Sequence, residues 1–154
     1  MWRWRRFRRL SGFERGVVLE AAVELPIAWL GVRLLGFRLC EAAFQKPRIA
    51  SRETKLPTAE TLDVARRIAH LRAATAASLF FRTGCLEQSL VLRGMLRSRG
   101  MNPELRIGAR KKANRFEAHA WVELDGIVLD GGGTEHLHFV PFEHSESLME
   151  TQTN

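Results

Sequence analysis

Three stretches of this chain space their apolar residues as helices do. The first, VVLEAAVELPIAWLGVRLLGFRLCEAAF (17–44), is broken by Pro26, and reads as two shorter amphipathic helices. The second, TAETLDVARRIAHLRAATAASLF (58–80), sets Leu62, Ala65, Ile68 and Ala69 at helical intervals, with Leu71 and Ala76 extending the pattern and Thr58 or Thr61 able to cap it. The third begins at Cys85 and is stopped by Gly100, with Arg97 and Arg99 near its electronegative end. Its apolar residues Leu86, Leu90, Val91, Leu92, Met95 and Leu96 fall on most sides at about 100° per residue, which describes a helix mainly buried in a domain.

Beyond Gly100 the period changes. NPELRIGAR (102–110) reads as a strand, and RFEAHAWVEL (115–124) and GIVLD (126–130) flank Asp125-Gly126, a two-residue hairpin signal. A tight turn there sets Leu124 opposite Ile127, Glu123 opposite Val128, Val122 opposite Leu129 and Trp121 opposite Asp130. One face then carries Ala118, Ala120, Val122, Leu124, Ile127 and Leu129 and faces a core. The other carries His119, Trp121, Glu123, Val128 and Asp130.

The chain has 154 residues, 45% of them hydrophobic, enough for about one domain that folds without staples. Residues 45–58, QKPRIASRETKLPT, read as a linker, which divides the chain into a basic arm, helices and linker (1–57) and a second unit (58–154). Only two cysteines are present, Cys40 and Cys85, and both read as reduced thiols of a cytoplasmic protein. Glu20, Glu24, Arg33, Arg38 and Pro26 interrupt the apolar stretch, and no small-residue cleavage site follows, so it is neither a spanning helix nor a secretory signal. The net charge of +7 is concentrated in MWRWRRFRRL (1–10), which holds five arginines and no nucleic-acid-binding motif; no specific nucleic acid is expected. Three options remain for residues 1–44: packing on the rest of the chain, peripheral contact with an anionic membrane, or docking of a partner protein.

The chemistry converges on Cys85. Gly84 lets the chain turn into the helix, and a thiol in its first turn meets unpaired backbone N–H groups and the positive end of the helix dipole, which favour the thiolate. On the hairpin register Asp130 is a diagonal neighbour of His119, roughly 7–8 Å away across the ladder and within side-chain reach. It can accept an imidazole N–H there and fix the tautomer, while Asp125 is occupied in making the turn. Cysteine, histidine and aspartate so placed form a candidate catalytic triad. Trp121, Glu123 and Gln88 are the candidates to line the substrate site, and Glu87 adds a second acid near it. His136-x-His138 with His144 is too sparse for a metal site, so neither metal nor cofactor is expected.

The motifs Cys-Leu-x-x-Ser-Leu (85–90), Leu-Arg-Ile-Gly (105–108) and Ala-His-Ala-Trp-Val-Glu (118–123) resemble those of the transglutaminase-like cysteine proteases that mature lasso peptides, the microcin-processing type of leader peptidase. The resemblance runs from about Ala59 to Asp130. It implies an α+β, papain/transglutaminase-like fold in which a central helix bearing the cysteine packs on an antiparallel sheet bearing the histidine and aspartate, here with an N-terminal helical extension. Carried over, it makes Cys85 the nucleophile, His119 the general base and acid, and Asp130 the orienting group. It also implies hydrolysis of one peptide bond between leader and core of a ribosomally made precursor. A separate leader-recognition protein and a lasso cyclase are the implied partners, with the N-terminal helices as docking surface. Acyl transfer to an amine, an amidase outside any lasso-peptide pathway, and a non-enzymatic basic adaptor are the alternatives.

Overall fold

The computed structural model describes residues 7, 9–45, 59–112, 115–129 and 138–141. Helix α1 spans Gly12–Leu35 and α2 Phe37–Gln45; α3 covers Ala59–Ala76 and α4 Cys85–Arg97. The strands are β1 (Glu104–Lys112), β2 (Arg115–Leu124), β3 (Ile127–Val128) and β4 (Val140–Pro141), in one antiparallel sheet of order β3-β2-β1-β4. This is an α+β fold. The linker from residue 46 onward, and with it the division at residues 57 and 58, lies outside the described residues, as do most of the basic arm and Asp130.

Helix α1 begins at a capping box. The Glu14 backbone N–H donates to Ser11 Oγ at 3.2 Å, and the Ser11 N–H donates to Glu14 Oε2 at 2.7 Å. Arg67 of α3 donates from Nε to Glu14 Oε1 at 2.7 Å, so the cap also ties two helices together. The Ser11 N–H first, then Arg67, hold the Glu14 carboxyl below its usual range.

Pro26 does not break the helix, contrary to the expectation of two shorter segments. It costs α1 one backbone hydrogen bond, but its neighbours Leu25 and Ala28 are fully buried, and that packing holds the chain helical through it. The break falls at Gly36 instead, whose φ of 80° lies in the left-handed region that glycine tolerates.

Helix α4 is the centre of the fold: it touches α1, α2, α3 and both long strands. Val17, Ala21, Leu25 and Ala28 from α1 meet Ala65, Ile68 and Ala69 from α3 and Val91, Leu92, Met95 and Leu96 from α4 in one core. Val122, Leu124 and Leu129 close it from the sheet. Of the three options for the N-terminal helices, packing on the rest of the chain is realised. Two of the charges that argued against a spanning segment are docking contacts, since Arg99 Nη2 reaches Glu20 at 2.7 Å and Arg33 Nη1 reaches Glu87 at 3.5 Å. No helix among the described residues is long and apolar enough to cross a membrane.

The hairpin follows the register read from the sequence: Leu124 faces Ile127, Glu123 faces Val128, and the Leu129 N–H donates to the Val122 carbonyl at 2.9 Å. Its apolar face is buried only in the middle. Ala118 and Ile127, at its two ends, are exposed, while Ala120 and Val122 are covered.

Candidate active site

Cys85 is the first residue of α4, and Gly84 is its cap. Gly84 is extended, with φ −75° and ψ 173°, a conformation open to most residues. The glycine leaves room for the Glu87 carboxylate, since a Cβ at position 84 would stand 2.6 Å from Glu87 Oε2. Glu87 is therefore no solvated acid beside the site. It is 8% exposed, in the helix first turn where the dipole favours a negative charge, and is covered by Arg33 of α1. The Arg33 guanidinium in turn lies 4.3 Å over the Trp29 ring, and Trp29 stands 5.0 Å from Phe81 in the loop leading to Cys85. Helix α1 thus braces the segment that presents the thiol.

The two cysteines differ sharply. Cys85 is half-buried, whereas Cys40 is buried, its thiol directed to the Ala28 carbonyl at 4.0 Å. Burial, and secondly the charge of Glu87, push the Cys40 thiol up from its ordinary range, which keeps it protonated and inert.

Gln88 does not face an open cleft. Its side-chain amide donates to the Thr83 carbonyl at 3.0 Å and accepts from the buried Arg72 Nη1 at 2.5 Å, locking the start of α4 to the end of α3. Ser89, one turn after Cys85 and so on the same side of the helix, is 1% exposed and donates to the Ala120 carbonyl at 3.0 Å. The first turns of α4 are thereby fastened to β2 at the residue beside His119. The i, i+4 spacing of Cys85 and Ser89 was the sequence signal for this contact; its partner on a strand was not readable.

His119 is half-buried on β2, with its ring 6.1 Å from Trp121 and 5.1 Å from Phe139. Trp121 is 2% exposed although it lies on the face read as mixed, and its indole N–H donates to Glu123 Oε1 at 2.7 Å. Arg106 donates to the other Glu123 oxygen at 3.2 Å. Trp121, held by Glu123, therefore stands beside the imidazole. Phe139 also packs near the imidazole, and nothing in the hairpin pattern pointed to it.

Next to these rings is Gly108, which pairs with His119 across the β1–β2 ladder. A Cβ there would stand 2.8 Å from the Val140 carbonyl oxygen, 3.0 Å from Trp121 Cη2 and 3.1 Å from Phe139 Cβ. An isolated glycine within a strand marks such close approach. Gly108→Ala is expected to push β4 and Phe139 off the imidazole, costing about 1–3 kcal/mol of stability in urea unfolding and lowering activity more than the stability loss explains.

Residues 23–143 match the transglutaminase-like superfamily. The chain belongs to that superfamily. No curated protein and no solved structure matches it. Members of the transglutaminase-like superfamily are commonly cysteine peptidases or acyltransferases. The match starts inside α1, so the transglutaminase-like unit takes in part of the N-terminal helix as well as the sheet. Asp130 and the histidines at 136 and 144 lie outside the described residues, among which no group of side chains is set to hold a metal ion.

Proposed function

We propose that this chain is a cysteine peptidase that separates leader from core in a ribosomally synthesised lasso-peptide precursor, in the cytoplasm. The observation that carries the reading is the half-buried Cys85 at the start of the central helix, with Ser89 fastening that helix to the strand of His119. The superfamily supplies the thiol-based chemistry.

In the proposed reaction Cys85 thiolate attacks the scissile carbonyl carbon, and the carbonyl oxygen takes up the negative charge. The Cys85 backbone N–H, unpaired within the helix, is a donor to that oxygen. His119, protonated, gives its proton to the leaving amine as the C–N bond breaks, leaving a thioester. Water then loses a proton to His119, attacks the thioester and frees the acid and the thiolate. Asp130 steadies the imidazolium through its N–H. A peptide backbone running past His119 is positioned for this sequence, while Trp121, buried and bonded to Glu123, and Gln88, committed to Thr83 and Arg72, act by fixing the site rather than by touching substrate.

A separate leader-recognition protein delivers the precursor and a lasso cyclase takes the freed core. The test is incubation of the full chain with a precursor and its leader-recognition protein, read by mass. The expected result is one cut that adds one water, with no product carrying an added amine. Amine incorporation instead of hydrolysis would mark an acyltransferase, and an untouched precursor would end the leader-peptidase reading.

A further inference from the structure

Helix α1 has a second apolar face, opposite the one in the core. Leu19, Val23, Ile27, Leu30 and Leu34 follow at steps of four, four, three and four residues, which keeps them on one stripe, and each is 49–72% exposed. At 1.5 Å per residue the stripe is about 22 Å long. Leu35 and Leu39, both 63% exposed, continue it onto α2. Single exposed leucines are ordinary; a continuous row of five along about two-thirds of a helix needs a cover.

Charge around the row selects the cover. Residues 1–44 hold eight arginines against four glutamates. None of the four carboxylates is left facing outward by itself: Glu14 is held by Ser11 and Arg67, Glu20 by Arg99, Glu41 by Arg93, and Glu24 is buried. Arg9, Arg15 and Arg38 are exposed near the two ends of the row. The sequence that leads into α1 adds Trp2, Trp4 and four more arginines. A second copy of the chain would set this positive rim against itself, whereas lipid phosphates complement it.

We propose that the outer stripe of α1, with its basic rim, seats the protein on an anionic lipid surface, the helix lying in the plane of the interface. Aliphatic side chains enter the acyl boundary, arginines meet the phosphates, and tryptophans suit the interfacial layer. The inference goes beyond the peptidase reading and does not depend on Cys85.

Flotation of the full chain with vesicles tests it. The protein should float with phosphatidylglycerol mixed equally with phosphatidylcholine, stay in solution with phosphatidylcholine alone, and be released by high salt. The double variant Val23→Glu, Leu30→Glu changes only outward-facing positions. It should lower the bound-to-free ratio on the order of tenfold or more while leaving the melting temperature in place. Deleting residues 1–57 would not serve, because it removes four fully buried side chains of α1. Failure of the unaltered chain to float, equal flotation with phosphatidylcholine alone, or equal flotation of the double variant would each overturn the proposal. So would a lipid-independent dimer, or a lipid-independent complex with the leader-recognition protein, that the double variant dissolves. A Cys85→Ala chain that still floats leaves the two proposals separately judged.

Discussion

Cys85→Ala is expected to lower turnover of a cleavable precursor by about 10⁴-fold or more, because it removes the atom that forms the covalent intermediate. Position 85 is half-buried at a helix start and contributes no side-chain cap, so the same change should shift the melting temperature by only roughly 2–4 °C. His119→Ala should lose a similar amount of activity, and the double variant little more than either alone, since groups acting in one step are not additive. Alkylation offers a second route to the same answer. A thiol reagent should modify Cys85, abolish turnover and spare Cys40, which is 5% exposed, with peptide mass spectrometry locating the label. Unimpaired turnover after complete labelling of Cys85 would remove the thiol from the reaction.

Leu25→Ala should be the most damaging single truncation in the N-terminal helix, costing about 2–5 kcal/mol, or roughly 5–15 °C in melting temperature. Leu25 is fully buried on α1 in the core it shares with α3 and α4, so the lost side chain leaves a cavity that three helices would have to close. Leu30→Ala, five residues along on the exposed side of the same helix, should change stability by less than about 0.5 kcal/mol. Thermal and urea unfolding of the pair measure how far α1 is part of the folded unit. Equal, small effects would mean that α1 is an appendage rather than a wall of the domain.

The most legible parts of this fold were set by local rules. Asp125-Gly126 between two apolar runs specified the β2–β3 hairpin and its register, and Cys85 to Arg97 read as a buried helix because its apolar residues surround it. The position of Cys85 at the helix start and of His119 on the second of the two long strands followed from the same rules. Proline misled where tertiary contact overrode it: Pro26 promised a break that the burial of Leu25 and Ala28 prevented. The surroundings of Glu87 and Gln88 were not legible, for one reason. The partners of Glu87 and Gln88, Arg33 and Arg72, come from other helices, and no period or spacing encodes such a meeting. Ser89 shows the limit most simply, since its spacing from Cys85 was visible and the Ala120 carbonyl it reaches was not.

The two-sided character of α1 also bears on how the chain is made. Synthesis proceeds from the N-terminus, and the inner side of α1 is covered first by α3 and then by α4, whose first residue, Cys85, follows Leu35 by 50 positions. At about 5–20 residues per second, a nascent α1 waits some 3–10 s before its inner apolar side is fully covered, with the outer stripe exposed as well. During that interval it is a ready client for a chaperone, so the yield of properly folded protein from cells depends on capture of the newborn chain as well as on the stability of the finished one.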